Sequence, residues 1–455
     1  MKRPLWSARE LAAALGVPAV QAADVDGVSI DSRLLRSGDL FVALSGEADA
    51  RYHGAGGGGR DGHDFVADAA RRGASAALVV RETGATITEI VVPDTFAALW
   101  DLARHARRRF EGDVFAITGS SGKTTAKGML AAALPGCHSA EGSFNNHIGV
   151  PLTLARLPAD VHSAVFEIGM NSPGEIAPLA RLVRPRVALV LNVLGVHLEG
   201  LGSLEAIRRE KLSIAEGLAE DAVLVAPDTL DLKGLTFAGR IVTFGCGPTA
   251  DLRLDEPDGT VQLPDGQTLP LRLAVDGPHR RLTATAVLAC LFAAGRDPEK
   301  ALGHLSGLAP PAGRGGTVEA GGVRIIDDSY NANPDSMRLA LGGLRELQAN
   351  RRFALLGDML ELGPEEAMLH REVARACLGL DGVFCVGQRM RHLFDALPSE
   401  LRGGWWPDCD AFDPEVVSGT LMSGDALLVK ASNRLFWKHG TVGQLAVTLA
   451  ARRGL

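Results

Sequence analysis

Apolar residues along this chain fall into short continuous runs separated by stretches with helical spacing. Between residues 111 and about 310 the runs are "DVFAIT", "SAVFEIG", "VALVLNV", "DAVLVAP" and "RIVTFG". Runs this apolar bury both faces, and with helices between them they predict a parallel, doubly wound α/β sheet. Residues 1 to about 110 carry "GVSID", "DLFVALSG", "AALVV" and "EIVVP", with a helix between, and end on the basic helix "LWDLARHARRRF". The opening "MKRPLWSARELAAALG" predicts a small amphipathic helix, its apolar part being too short for a secretion signal. Four glycines at 56–59 predict a flexible loop. Past a Pro/Gly linker, "GLAPPAGRGG" at 307–316, the runs "VRIIDDSY", "FALLGDM", "VFCVG" and "ALLVKAS" alternate with helices again. The pattern thus predicts an α/β chain of three domains, at 1–110, 111–310 and 311–455.

A length of 455 residues agrees with two to three domains rather than one core. Hydrophobic residues at 46% and charged residues at 22% are values of a globular protein, not a disordered one. The net charge of −7 offers no global basic field for nucleic acid or acidic lipid, so an anionic substrate must be held by local devices. No apolar run is long enough to span a bilayer, so no membrane insertion is expected. Cys137, Cys246, Cys290, Cys377, Cys385 and Cys409 lack metal-ligand spacing, which argues against a zinc site and predicts a reducing cytoplasm. With only two Tyr, a single-strand-binding surface of stacked aromatics is not expected either.

The sharpest local signal is "AITGSSGKTTAKGM" at 116–129. A buried strand runs into Thr118, Gly119, Ser120, Ser121, Gly122, Lys123, Thr124 and Thr125, and then into a helix. Glycines let backbone N–H groups turn toward an anion, and the helix start adds its partial positive charge. Lys123 is placed to meet the outer phosphates and the Thr124 hydroxyl to serve magnesium. The strict Walker pattern needs a glycine where Ile117 stands, so the loop is a shortened one. In open α/β sheets chemistry collects past the C-terminal ends of strands. Glu167 ends "VFEI", and Asn192 and His197 follow "LVL", so Lys, Thr, Glu and His are expected at one rim. A lone strand-end Glu or loop His is more often a solvated residue, and both gain weight here only from the phosphate loop beside them.

Several segments together resemble the ATP-dependent Mur ligases. They are "TGSSGKTT", "FNNHIGVPLTL" (144–154), "FEIGMN" (166–171), "NVLGVHLEGLGSLEAIRREK" (192–211), "DDSYNANPDSM" (327–337) and "LGDMLELG" (356–363). The N-terminal "DSRLLRSGDLFVALSGE" is similar to that family's first domain, and the resemblance covers essentially the whole chain. "DDSYNANPDSM" points to the branch that adds D-alanyl-D-alanine to UDP-N-acetylmuramoyl-tripeptide. The resemblance implies a first domain for the UDP-sugar peptide, a central ATPase domain and a C-terminal Rossmann-like domain. It implies ATP and Mg²⁺ as cofactors, these two small-molecule substrates as partners, no nucleic acid, and a monomer.

Carried over by position, Ser32 and Arg33 fall where the uridine nucleotide is held, and Asn145 and Asn146 where substrate is met. Residues 118–125 match the ATP phosphate loop. Glu167 and His197 match magnesium-associated positions, and Lys211 the place of a carbamylated lysine that helps hold a second magnesium. Lys123, Glu167, His197 and Lys211 form the expected catalytic set, with Thr124 among the metal-side ligands. Asn331, Asn333 and Asp335 lie in the segment that meets ATP and the incoming dipeptide, and Arg314 is expected to reach the nucleotide. The chain departs from the family where Arg280 and Thr283 replace two asparagines on the adenine side, and where "LVKASNR" (428–434) replaces a Lys-Gly-Ser pattern.

The reaction so implied is amide formation through an acyl-phosphate, with positioning and charge neutralisation supplying the catalysis. Two other readings stay open on the sequence alone. A folylpolyglutamate-type ligase shares the central ATPase logic, though it should lack the "DSR…GDLFVAL" domain. A nucleotide-binding relative that has lost catalysis would keep the cradle without turnover.

Overall fold

In the computed structural model the chain is described at residues 4–18, 23–45, 60–195, 201–432 and 435–452. The glycine run at 56–59 and His197 lie outside the described residues. Three sheets are built in succession. The first is wholly parallel, in the order β1 (Gly27–Ser29), β2 (Asp39–Val42), β3 (Ala76–Val79), β4 (Thr88–Val91). The amphipathic helix expected at the N-terminus forms at Ala8–Leu15, started by a reciprocal Ser7/Glu10 capping box.

The helix Thr95–Arg109 begins on Asp94, whose carboxylate accepts the N–H groups of Phe96 and Ala97, and ends on three arginines that favour its C-terminal dipole. It serves two cores. Ala98, Leu99, Leu102 and Ala106 pack with the first sheet, while Phe96, Trp100 and Ala103 pack with the central one. Polar contacts add to the junction. Trp6 Nε1 donates to Ala155 O (2.9 Å), Trp100 Nε1 to His147 O (3.0 Å) and Arg156 Nε to Val28 O (2.6 Å). The Trp100 ring also stacks on His147, centroids 6.0 Å apart. The helix Gly149–Ala155, which follows the "FNN" segment directly, is therefore docked against the first domain.

The central sheet has nine strands in the order β13-β12-β11-β10-β9-β8-β5-β7-β6. Its parallel part comprises β5 (Asp113–Thr118), β6 (His138–Ser139), β7 (Ser163–Glu167), β8 (Val187–Val190), β9 (Val223–Pro227), β10 (Arg240–Gly245) and β11 (Leu252–Asp255). Alternate residues of β5 feed opposite cores, Phe115 and Ile117 one, Val114 and Ala116 the other. Because β5 lies between β7 and β8, the loops after these three strands share one end of the sheet. The parallel reading needs one correction. β12 (Thr260–Gln262) and β13 (Thr268–Pro270) extend the sheet antiparallel, turning at Asp258-Gly259 and Asp265-Gly266. Such Asp-Gly pairs suit a tight reversal because glycine accepts positive φ, here 61° and 88°.

The third sheet runs β14 (Gly316–Ala320), β15 (Val323–Asp328), β19 (Ala426–Lys430), β16 (Arg352–Gly357), β17 (Gly382–Val386), β18 (Arg402–Trp406). All of its pairs are parallel except β14 with β15. Both edge strands escaped the apolar-run reading: β14 is mostly exposed and β18 carries two glycines after Arg402.

The domain junction carries two testable consequences. Trp6 is fully buried, and Trp6→Ala should lower stability by about 3–5 kcal/mol, read as a lower thermal midpoint. His147 is 2% exposed, and burial pushes its imidazole from 6.5 down to about 4. Unfolded chains therefore bind a proton there between about pH 6.5 and 4 that folded chains do not, and stability falls as pH falls through that window. In His147→Phe this component should vanish, narrowing the loss between pH 7 and 4 by about 1–3 kcal/mol in parallel melts.

Candidate active site

The segment after β5 turns sharply at Gly122, whose φ of +78° starts the helix Lys123–Ala133. A side chain here would be strained and would press on Leu191 Cδ2 at 3.0 Å, so glycine is required by both backbone and space. The loop is held from the neighbouring strand end. Ser121 N donates to Asn192 Oδ1 (2.9 Å) while Asn192 Nδ2 donates to Ser121 O (3.0 Å). Ser120 Oγ donates to Leu194 O (3.1 Å) and accepts from Leu194 N (2.9 Å). The Thr118 hydroxyl is buried with no hydrogen-bond partner among the described residues. Lys123 Nζ bends back onto Gly119 O at 2.7 Å.

Glu167, 3% exposed at the end of β7, is the polar centre of this rim. Its Oε2 accepts from Thr124 Oγ1 (2.8 Å), and its Oε1 from Ser143 Oγ (2.9 Å) and Asn145 Nδ2 (2.7 Å). A carboxylate so buried must be satisfied by donors, and here three of them come from two loops. Burial lowers the Lys123 ammonium pKa, Glu167 opposes that, and Arg314 adds to it. Arg314, near the end of the 307–316 linker, is thus brought within electrostatic reach of the loop while its guanidinium stacks on Tyr330 at 4.0 Å.

Lys211 arrives from a fourth element, the helix Leu204–Leu212 capped by Ser203. It is 2% exposed, and its ammonium has no hydrogen bond or ion pair among the described residues. Burial holds its pKa well below the ordinary lysine range, and the neighbouring Lys123 charge presses the same way. The adjacent Glu210 cannot neutralise it well, because its carboxylate accepts from Gly174 N (2.8 Å) and Ile176 N (2.9 Å) at the start of another helix. The rim offers hard oxygen donors in Thr124 and Glu167 beside unsatisfied Thr118, which fits a magnesium–phosphate group.

Other expected positions have different surroundings. Asn146 turns its Oδ1 to Gly149 N (2.8 Å), starting the helix Gly149–Ala155. Asn333 caps the helix Pro334–Glu346 through Ser336 N (2.9 Å), and Asp335 pairs with Arg338 (2.8 Å). Asn331 is exposed, and its carbonyl accepts from Lys430 Nζ (2.9 Å), which also pairs with Asp328 (2.6 Å). In the first domain Ser32 donates to Asp68, and Arg33 forms a bidentate pair with Asp31. Of the two departures, Thr283 lies near Gly122 but donates to His279 O, and Arg280 Nη2 donates to Arg314 O (2.5 Å). Ser143 and Lys430 are site elements that sequence reasoning did not single out, and Asn192 was named there without a role. The place of Asn192 at the end of an apolar run was the only available signal. A cavity of about 520 Å³ lined by Arg324, Asn350, Arg352 and Asp425 lies away from these strand ends and holds none of this chemistry.

Residues 117–291 match the Mur ligase middle domain, and 313–433 match the Mur ligase, glutamate ligase domain. The chain belongs to the Mur ligase family and is an ATP-dependent ligase with that family's three-domain architecture. More particularly, it is similar to UDP-N-acetylmuramoyl-tripeptide–D-alanyl-D-alanine ligases. That of Rickettsia prowazekii is 30% identical over 87% of this chain and 90% of its own length. That of Escherichia coli is 35% identical over 81% and 83% respectively. Among solved structures, MurF from Acinetobacter baumannii superposes with a TM-score of 0.82 at 29% identity, covering 97% of this chain and 99% of its own. MurF ligase from Thermotoga maritima in complex with ADP gives 0.78 at 28% identity, covering 94% and 98%.

The paired Ser121–Asn192 bonds make a prediction. Asn192→Ala should raise the KM for ATP about tenfold, the equivalent of about 1.4 kcal/mol, with a smaller effect on kcat. Steady-state kinetics at varied ATP would check this split.

Proposed function

We propose that this chain joins D-alanyl-D-alanine to the terminal carboxylate of UDP-N-acetylmuramoyl-tripeptide at the expense of ATP. The observation that carries the reading is the convergence of Lys123, Thr124, Glu167 and Lys211 on one rim, in a chain whose 30% and 35% identical relatives bear that name. Residues 1–110 are assigned to the UDP-sugar peptide, with Ser32 and Arg33 on the uridine side. Residues 111–310 hold ATP through 118–125, and 311–455 close over it with Arg314 and Asn331 while Asn333 and Asp335 serve the dipeptide. Asn145 and Asn146 face the acceptor, and His197 completes the metal side.

A carboxylate oxygen is a poor leaving group, so the acceptor must be activated. In the proposed path it attacks the γ-phosphorus and ADP leaves. The dipeptide amine then attacks the acyl-phosphate carbon, a tetrahedral intermediate forms, and inorganic phosphate is expelled. Lys123 swings from the Gly119 carbonyl to the phosphates, and the loop N–H groups take up charge on the transferring group. Glu167 holds the Thr124 hydroxyl in place. Thr124 and Glu167 would hold Mg²⁺, which when bound would supply charge neutralisation between two anions that otherwise repel. Lys211, whose depressed pKa favours the neutral amine, is suited to add CO₂ and release a proton, becoming an anionic ligand. Closure about 307–316 excludes water from the acyl-phosphate. The active unit is taken as a monomer, and the cytoplasm as its compartment, which the six free thiols support.

Phosphate release from ATP and Mg²⁺ should require both the UDP-linked tripeptide and D-alanyl-D-alanine, with the pentapeptide product seen by mass. ATP binding without such turnover would overturn the assignment.

A further inference from the structure

Lys127 lies one turn after Lys123 on the phosphate-loop helix, and no step above uses it. It is 4% exposed. Its ammonium has no carboxylate partner among the described residues and donates instead to two backbone carbonyls, Ala140 O (2.7 Å) and Gly142 O. A buried cation whose hydrogen bonds go only to carbonyls is a poor stabiliser, and burial lowers its pKa although the Glu167 charge opposes this from beyond ion-pair distance. Its retention calls for another explanation, and the loop it grips supplies one. Immediately after Gly142, Ser143 Oγ and Asn145 Nδ2 both donate to Glu167 Oε1. Asn145 Nδ2 also donates to Ser143 Oγ (3.1 Å), and Asn145 O accepts from Gly169 N (2.8 Å). A Cβ at Gly169 would stand 2.9 Å from the Asn145 side chain, so this loop sits tightly on the strand end that bears Glu167.

We infer that Lys127 is a positioning residue for the ligase reaction. It ties the 140–142 backbone to the phosphate-loop helix, so that Ser143 and Asn145 orient one oxygen of Glu167 and leave the other to Thr124. One side chain thereby fixes the acceptor-side loop and the ATP-side helix in a single frame. The inference rests on the proposed role of Glu167 in that reaction, but its first test needs no substrate.

Hydrogen exchange on the ligand-free full chain should show the Gly149, Val150 and Gly169 amides, which bond to Asn145 and Asn146, exchanging at least about tenfold faster in Lys127→Met. Central-strand amides of β5 and β8 should be unchanged, and Lys127→Arg, which keeps charge and donors, should restore slow exchange. In turnover assays Lys127→Met should lose about 10- to 100-fold in kcat and need more Mg²⁺ for half-activation. In a Ser143→Ala/Asn145→Ala background the same substitution should add little. Unchanged exchange at the three amides, or a rise shared equally by β5 and β8, would overturn the inference, as would undiminished kcat. If Lys127→Met does not fold, Lys127→Gln, too short to span both carbonyls, takes its place with the same expectations. The exchange result stands whether or not the substrate assignment holds.

Discussion

The arrangement depends on one buried carboxylate. Glu167 sits at the end of β7 almost out of solvent, and it is stable there because Thr124, Ser143 and Asn145 each donate to it. Those donors belong to the phosphate-loop helix on one side and the 143–146 loop on the other, so satisfying a single charge sets the spacing between them. An unsatisfied buried carboxylate would cost several kcal/mol or take up a proton. Here the three donors supply that satisfaction. The surrounding cations follow a complementary rule. Lys123, Lys127 and Lys211 lie close together with depressed pKa values, an arrangement prepared for anions rather than for stability of the ligand-free chain.

The sheet topology makes this possible. With β5 flanked by β7 and β8, residues 118–125, 167 and 192 reach the same rim although they are far apart in sequence. The first domain braces the segment that leaves that rim. Trp6, Trp100 and Arg156 tie it to the segment 147–156, so the loop that satisfies Glu167 is anchored at its C-terminal end. At the other boundary, Arg280 bonds to the Arg314 backbone while the Arg314 charge reaches Lys123 and Lys127. The long Arg280 side chain thereby reaches across the junction, toward the C-terminal sheet.

Much of the fold could be read from the sequence because buried parallel strands are apolar at successive positions, and every such run named in the central block became a strand. Strands without that signature were missed. β14 is an exposed edge, β18 carries two glycines among its five residues, and β12 and β13 are short pieces announced only by Asp-Gly turns. The phosphate loop was visible because its residues are contiguous. Lys127, Ser143 and Lys430 were not, since their meaning lies in partners 13, 24 and 102 positions away. Asn146 and Asn333 show the converse: family position marked them as substrate contacts, while their side chains here also start helices. Capping and binding are not exclusive, but composition and spacing cannot separate them.

The central claim is that the charge of Glu167, fixed by its three donors, makes the phosphate cradle competent for ligation. Glu167→Gln keeps the size and one acceptor oxygen while removing the charge, so the most direct measurement is its substrate-dependent phosphate release beside a thermal melt. The account predicts a loss of about 100- to 1,000-fold in kcat with the fold retained. A folded Glu167→Gln enzyme turning over within about threefold of wild type would contradict it, since so small a change in barrier leaves nothing for the charge to do.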